Sequence, residues 1–189
     1  MIGWYSVRNA VYYCFGGIWS GAYFGESYGL TRTEFGPILM MGAFGFTFGG
    51  PILTWLSNKV FKSYRLGILL SNVICTAGVA MLVLNIDGLS KPMLYVMVLM
   101  IGMASAPSAL IYATVRKVFG AHMSGALAGV WSFVLFTPGG IMSMIIGSMV
   151  TSAKAAGAVG GAVYQNAFYI FLVCAIIGTC AGLILKDGY

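Results

Sequence analysis

Apolar residues fill most of the chain in six long runs, and the polar and charged residues collect in short gaps between them. A helix needs about 20 apolar residues to cross the hydrocarbon core of a bilayer. Each run is close to that length. The predicted membrane-spanning helices are residues 9–28, 34–56, 66–86, 93–115, 124–150 and 163–185. The pattern predicts an all-α polytopic membrane protein with one domain over residues 1–189.

The composition excludes a soluble protein. Hydrophobic residues make up 60% of the chain, charged residues only 7%, and the mean hydropathy is +0.93. A soluble fold of this composition would have too little polar surface to cover itself. The net charge of +6 is spread over helix ends and forms no stripe, so we expect a lipid bilayer as partner and no nucleic acid.

The basic residues predict the orientation, because cytoplasmic loops of membrane proteins carry an excess of Lys and Arg. One side of the predicted bundle holds three of them: Arg32, Lys91 and Lys154. The other side holds the remaining seven: Arg8, Lys59, Lys62, Arg65, Arg116, Lys117 and Lys186. We therefore expect both termini to be cytoplasmic, with the chain integral to the cytoplasmic (inner or plasma) membrane.

The sequence offers little covalent or metal chemistry. The four cysteines lie in apolar runs without CxxC spacing or a His partner, and we interpret them as packing residues. The spans contain no Ser/His pair, paired Asp or HExxH motif. We expect no enzyme activity, no metal and no cofactor.

Glycine and proline positions predict how the helices pack. Glycines recur every four residues in several spans, as at Gly45 and Gly49 and at Gly125 and Gly129. Small residues at that spacing let helix backbones approach closely in lipid. The stretch from Pro138 to Gly140 predicts an interruption of the fifth span, which is typical of a bundle that lines a cavity and flexes.

The most specific stretch joins the second and third spans. It resembles the cytoplasmic loop signature of the major facilitator superfamily, with an Asn where an Asp is usual and a Lys where an Arg is usual. The matching residues, predicted to form a cytoplasmic gating motif, are Gly50, Asn58, Lys59, Lys62 and Arg65. The neutral Asn58 favours the C-terminal half of such a transporter. The later segments are also similar in order and spacing to organophosphate:phosphate antiporters, although the predicted first span lacks that family's arginine.

The resemblance implies a six-helix half-bundle, built as a 3+3 inverted repeat, that needs a second half. That partner would be the N-terminal half of the same transporter or a second copy of this chain. In this superfamily the first and fourth helices of a half line the cavity, the second and fifth lie beside them, and the third and sixth face lipid. The implied substrate-binding residues are Asn9, Tyr12, Tyr13, Trp19, Ser105, Ser108, Tyr112 and Trp131.

Other interpretations of these residues stay open. The tyrosines could belong to an interfacial belt, and Ser105 and Ser108 could only support Pro107. No ionisable residue lies at the centre of a predicted span, so Glu26, at the outer end of the first span, is the candidate carboxylate for proton or ligand binding. Glu34 is better explained as a helix cap with Thr31 or Thr33.

Together these observations predict one half of a secondary transporter. It would move a small polar or amphipathic solute by alternating access. The alternative is a non-transporting membrane sensor or assembly subunit that retains the fold.

Overall fold

The computed structural model describes residues 2–106 and 124–184, and all regular structure in these ranges is helical. The first helix runs without a break through three parts, α1 (Ile2–Val11), a π-helical segment (Tyr12–Trp19) and α2 (Ser20–Tyr28). We call these three parts the N-terminal helix. The remaining elements are α3 (Arg32–Trp55), a second π-helical segment (Leu56–Phe61), α4 (Tyr64–Leu84), α5 (Lys91–Ser105), α6 (Ser124–Ala155) and α7 (Ala162–Ile184).

The helices confirm a membrane-embedded protein. Four described stretches are long and apolar enough to cross a bilayer: Arg32–Phe61, Leu66–Leu84, Gly125–Ala155 and Ala162–Cys180. They correspond to the second, third, fifth and sixth predicted spans. The first predicted span is helical without meeting the same criteria. The fourth is represented by the shorter apolar helix α5, and most of the rest of that prediction lies outside the described residues.

The helices pack in an order that leaves two of them at the margins. α4 packs on both α5 and α7, and α7 packs on the N-terminal helix. α3 packs mainly on α5, and α6 mainly on the N-terminal helix. Within their apolar stretches, 28% of α3 and 28% of α6 is buried, against 50% of α4. Among the four membrane-spanning stretches, those of α3 and α6 therefore have the largest uncovered faces.

The contact between α3 and α5 depends on glycine. A Cβ atom on Gly45 would collide with the backbone of Leu99 and Met103, and a Cβ on Gly102 would collide with the backbone of Gly42. Because neither glycine carries a side chain, the two backbones touch. We call this contact the glycine seam, and it confirms the packing role predicted for the glycines of the second span.

The interruption expected at Pro138 is wrong. α6 is α-helical from Ser124 to Ala155 and passes through that proline, just as α3 passes through Pro51. A proline frees one carbonyl in the preceding turn, and a membrane helix tolerates that loss. The irregular backbone lies instead in the two π-helical segments. Pro107 is outside the described residues.

Candidate functional site

The N-terminal helix meets α3 and α6 through two adjacent tyrosines. The Tyr12 ring stacks on Phe46 of α3, with centroids 5.5 Å apart and planes 6° from parallel. The Tyr13 ring centroid lies 4.7 Å from that of Phe136 on α6. Adjacent helical residues point about 100° apart, so the two contacts lie on different sides of the helix. α3 and α6 do not pack extensively on each other, and the exposed Gly17 and Ile18 show that the N-terminal helix is partly uncovered there; we describe this uncovered strip as a groove.

The floor of this groove is the first π-helical segment. Gly16 and Gly17 follow the two tyrosines by one turn, and Gly17 is exposed with no described atom within 4 Å of its Cβ position. Ile18 beside them is 55% exposed. π-helical turns are rare and occur frequently at functional sites. We call this surface the open groove, with Tyr12, Tyr13, Gly17 and Trp19 as its defining residues.

Trp19 gives the open groove a polar contact on the α6 side. Its indole Nε1 donates a hydrogen bond to Ser143 Oγ at 3.1 Å. The ring fits above Gly147, where a Cβ would lie 3.4 Å from it, and its centroid is 6.5 Å from that of Tyr164. Trp19 is therefore held in place between α6 and α7, while part of its side chain stays accessible.

Two of the predicted substrate-binding residues lie inside the bundle. Asn9 is fully buried, and its amide lies beside the Tyr13 hydroxyl without forming a hydrogen bond of good geometry. Ser105 is also buried, and its hydroxyl donates to the Ile101 carbonyl at 3.5 Å. Trp131 lies on α6 and is partly exposed. Ser108 and Tyr112 lie outside the described residues.

Arg8 requires a correction. The sequence pattern predicts a charge outside the first span, but the N-terminal helix begins at Ile2 and Arg8 is only 1% exposed. Its Nη1 donates to Ser71 Oγ and to Asn72 Oδ1 of α4, both at 2.7 Å. A guanidinium can be buried in a bundle when neighbouring helices supply acceptors. The polar pair Ser71 and Asn72 within a mostly apolar run was the sequence signal for this partner.

The Arg8 contacts belong to a larger set of hydrogen bonds between α4 and α7. The Asn72 amide donates to the Gly178 carbonyl at 3.0 Å. One turn later, the Thr76 and Thr179 hydroxyls are 2.9 Å apart. We call these contacts, together with Arg8 and Ser71, the polar seam. It joins the N-terminal helix to α4 and α7, whereas the open groove lies between that helix, α3 and α6.

A cavity lies at the end of α3, where three of the predicted gating residues meet. Its volume is about 490 Å³, and its lining consists of Gly50, Pro51, Thr54, Trp55, Asn58, Lys59 and Ala106. Lys62 follows the second π-helical segment in a left-handed conformation, with φ of 48°. Arg65 lies in the first turn of α4. We call this cavity the motif pocket, and its lining brings Gly50, Asn58 and Lys59 together.

The opposite end of the bundle carries two ion pairs. Lys154 Nζ lies 2.8 Å from Glu26 Oε1, and Lys91 Nζ lies 3.2 Å from Glu34 Oε1. Glu34 also accepts a hydrogen bond from the Thr31 backbone N–H at 3.0 Å, which confirms the predicted cap. Glu26 thus has a lysine partner. Its role in proton or ligand binding stays a prediction.

No family model matches this chain. The curated proteins and the solved structures also contain no match to it.

The side chains themselves define the chemistry that the site offers. Over residues 2–106 and 124–184, no cluster of His, Cys, Asp or Glu could hold a metal ion, and the four cysteines are free thiols. The open groove instead offers aromatic faces, tyrosine hydroxyls and an indole held by a serine. Such a surface binds by stacking and hydrogen bonding.

Proposed function

We propose that this chain is one half of a secondary active transporter, which moves a small polar or amphipathic solute by alternating access. The observation that carries the proposal is the open groove, an aromatic and partly exposed surface on a π-helical backbone. Tyr12 stacks on Phe46, which lies twelve residues after Glu34 and thirteen before Lys59, so it is about 18 Å from one end of a helical stretch that is long enough to cross the bilayer. Transporters bind their solutes near the midplane, often where a helix departs from regular geometry.

The residues of the groove fit a small solute with both polar and apolar parts. The paired rings of Tyr12 with Phe46 and of Tyr13 with Phe136 provide flat apolar walls. The Asn9 amide lies one turn away, buried beside the Tyr13 hydroxyl without a hydrogen bond of good geometry. A buried polar group in that state costs about 1–3 kcal/mol, so stability does not explain its presence. We assign Asn9 to solute binding in a state in which the groove opens further.

The proposed partner is a second six-helix half, which would cover the groove. The large uncovered faces of α3 and α6 support this assignment, because both border the groove. The partner is either the N-terminal half of the same protein or a second copy. The proposed frame is a major-facilitator-type 3+3 half-bundle in the cytoplasmic membrane, with both termini cytoplasmic and the motif pocket at the cytoplasmic gate.

Water access to the groove tests the proposal. Gly17→Cys places a thiol in the open groove, and Ala77→Cys places one on an exposed part of α4 at a similar depth. In native membranes we expect a water-soluble thiol reagent to label the Gly17→Cys variant and not the Ala77→Cys variant, because a thiol that faces lipid has no water to ionise it. The background lacks the native cysteines: Cys14, Cys75, Cys174 and Cys180. Equal labelling of the two variants would contradict a solute cavity.

Two further measurements separate the alternatives. The mass of the particle purified in mild detergent shows whether the partner is a different chain segment or a second copy. Solute flux into vesicles then separates a transporter from a membrane sensor or assembly subunit. A labelled groove in a protein without any flux would favour the sensor or subunit.

A further inference from the structure

We propose that the motif pocket binds the phosphate group of an anionic phospholipid headgroup. The inference does not depend on transport. It requires only that α3 crosses the bilayer, so that its two ends lie at opposite surfaces.

The location of the pocket along α3 supports a headgroup. Glu34 is in the first turn of α3, and Lys59 follows it by 25 residues in a continuous helical backbone. At about 1.5 Å per residue this separation is roughly 37 Å, slightly more than the hydrocarbon core of a bilayer. The motif pocket therefore lies at the depth of the phosphates when Glu34 lies at the other surface.

The charge distribution supports an anion. The ion pairs found among the described residues are Lys91 with Glu34 and Lys154 with Glu26, and both lie at the far end of the bundle. Lys59 and Lys62 have no carboxylate within ion-pair distance in that part of the chain, and both are exposed. Lysines at a membrane surface attract acidic headgroups.

The accessible lining of the pocket is mostly apolar, but it includes three polar side chains that can bind a phosphate diester. Lys59 supplies the positive charge, and Thr54 and Asn58 supply a hydroxyl and an amide that can donate to phosphate oxygens. Gly50 leaves space at the bottom of the pocket that a Cβ atom would occupy, in van der Waals contact with the Ala106 carbonyl oxygen at 3.5 Å. Trp55 on the rim is 56% exposed, and tryptophan prefers the headgroup level of a bilayer. The cavity volume of about 490 Å³ lies within the range of small-ligand sites.

Trp55 provides a direct reporter. The protein is prepared with Trp55 as its single tryptophan, by Phe replacement at Trp4, Trp19 and Trp131, and its helix content is checked by circular dichroism. Fluorescence quenching is compared between bilayers of acyl-brominated phosphatidylglycerol and bilayers of acyl-brominated phosphatidylcholine. We expect the relative association constant near Trp55 to favour phosphatidylglycerol about fivefold, as expected for one lysine near a charged surface.

Two lysine variants determine whether the pocket is responsible. Lys59→Gln removes the charge from the pocket and should bring the preference close to one, whereas Lys59→Arg should retain it. Lys154→Gln changes a lysine at the far end, and we expect it to leave the preference unchanged. A preference that survives in Lys59→Gln would overturn the proposal.

Inorganic phosphate distinguishes a lipid from a free anion. At constant ionic strength, millimolar phosphate should leave the preference for phosphatidylglycerol unchanged, because a lipid headgroup is held at high local concentration by its own bilayer. Complete loss of the preference under these conditions would assign the pocket to free phosphate and overturn the lipid assignment. Equal quenching by the two lipids in the unsubstituted pocket would also overturn it.

Discussion

The glycines of α3 and those of α6 follow the same four-residue spacing, but they have different surroundings. Gly49 of α3 lies so close to α5 that an added Cβ would be 2.9 Å from the Met103 Cα. Gly125 and Gly129 of α6 have no described atom within 4 Å of their Cβ positions. One set forms the glycine seam, and the other lies on an open helix face.

The difference shows which surfaces hold this bundle together and which do not. The glycine seam and the polar seam use close backbone contact and hydrogen bonds to hold neighbouring helices together, which is how helices associate where lipid removes the hydrophobic drive. The open groove and the uncovered face of α6 contribute little to that cohesion. Substitutions on the two kinds of surface should therefore have effects of very different size.

The largest expected effect is at the glycine seam. Gly45→Val would push a branched side chain into the Leu99 carbonyl and the Met103 amide. Both are backbone groups of α5, so neither can move unless the helix itself shifts. Overpacking usually costs 1–3 kcal/mol, and we expect about 3 kcal/mol or more here because the obstacle is backbone. The free energy of unfolding, measured in mixed detergent micelles, checks this value.

Gly129→Val is the matched control, at the same spacing on α6. It should change the unfolding free energy by less than about 0.5 kcal/mol, as an exposed substitution away from special features does. If Gly129→Val destabilised the isolated chain as much as Gly45→Val, the distinction between seam and open face would be wrong. Reduced solute flux with unchanged stability in Gly129→Val would instead place a partner on that face.

The next largest effect is expected in the polar seam. Asn72→Ala removes an acceptor from the buried Arg8 guanidinium and a donor from the Gly178 carbonyl. Hydrogen bonds to charged groups contribute about 1.5–3 kcal/mol, and the loss of both contacts should cost about 2–3 kcal/mol. Asn58→Ala, at an exposed position, is the control and should be nearly neutral. Equal unfolding free energies for the two variants would show that Arg8 does not depend on Asn72.

The sequence predicts some of these structural features and misses others. The apolar runs predict the membrane and most helix positions, because length and composition are local properties. The cap at Thr31 and Glu34 is equally local and was found. The burial of Arg8 was missed because it depends on Ser71 and Asn72, more than sixty residues away in sequence. Spacing alone also could not separate Gly45 from Gly129, because both patterns are identical along the chain.

The residues of the candidate site were also predicted only in part. Tyr12, Tyr13 and Trp19 were predicted on the same span, and all three border the open groove. Asn9 is close in sequence but fully buried. The π-helical segment that forms the groove floor has no sequence signature that we recognised, and it packs on α6, a helix from a distant part of the chain. The lining of the motif pocket also includes Ala106, which is distant in sequence and could not be assigned to the pocket from the loop motif.

A smaller effect is expected where the open groove meets α6. Ser143→Ala removes the acceptor of the Trp19 indole N–H, so that Trp19 loses its orientation. We expect a loss of about 1 kcal/mol in unfolding free energy, the usual net contribution of one neutral hydrogen bond. Ser148→Ala lies on the same helix, but its hydroxyl is exposed and bonds its own backbone, so it should have almost no effect. A Ser143→Ala variant as stable as the parent would mean that the walls of the groove hold Trp19 without this hydrogen bond.

The smallest effect is expected at the exposed ion pairs, and Glu34 allows its two roles to be separated. Glu34→Gln removes the ion pair with Lys91 but keeps a side chain that can accept from the Thr31 N–H, as a glutamine in a capping box does. Glu34→Ala removes both interactions. Exposed pairs contribute little to stability and are screened by salt, whereas the cap satisfies a backbone donor in the first turn of α3.

The two variants should therefore respond differently to ionic strength. The difference between the parent and Glu34→Gln should shrink as salt is raised, because the two charges are exposed and screened by solvent ions. The difference between Glu34→Gln and Glu34→Ala should persist, because a hydrogen bond to the first turn of α3 carries little salt dependence. If both differences disappeared in high salt, Glu34 would act by charge alone and the cap would contribute nothing measurable. If neither changed, the Lys91 pair would be irrelevant, and the far end of the bundle would be held by backbone capping in the way that the glycine seam is held by backbone contact.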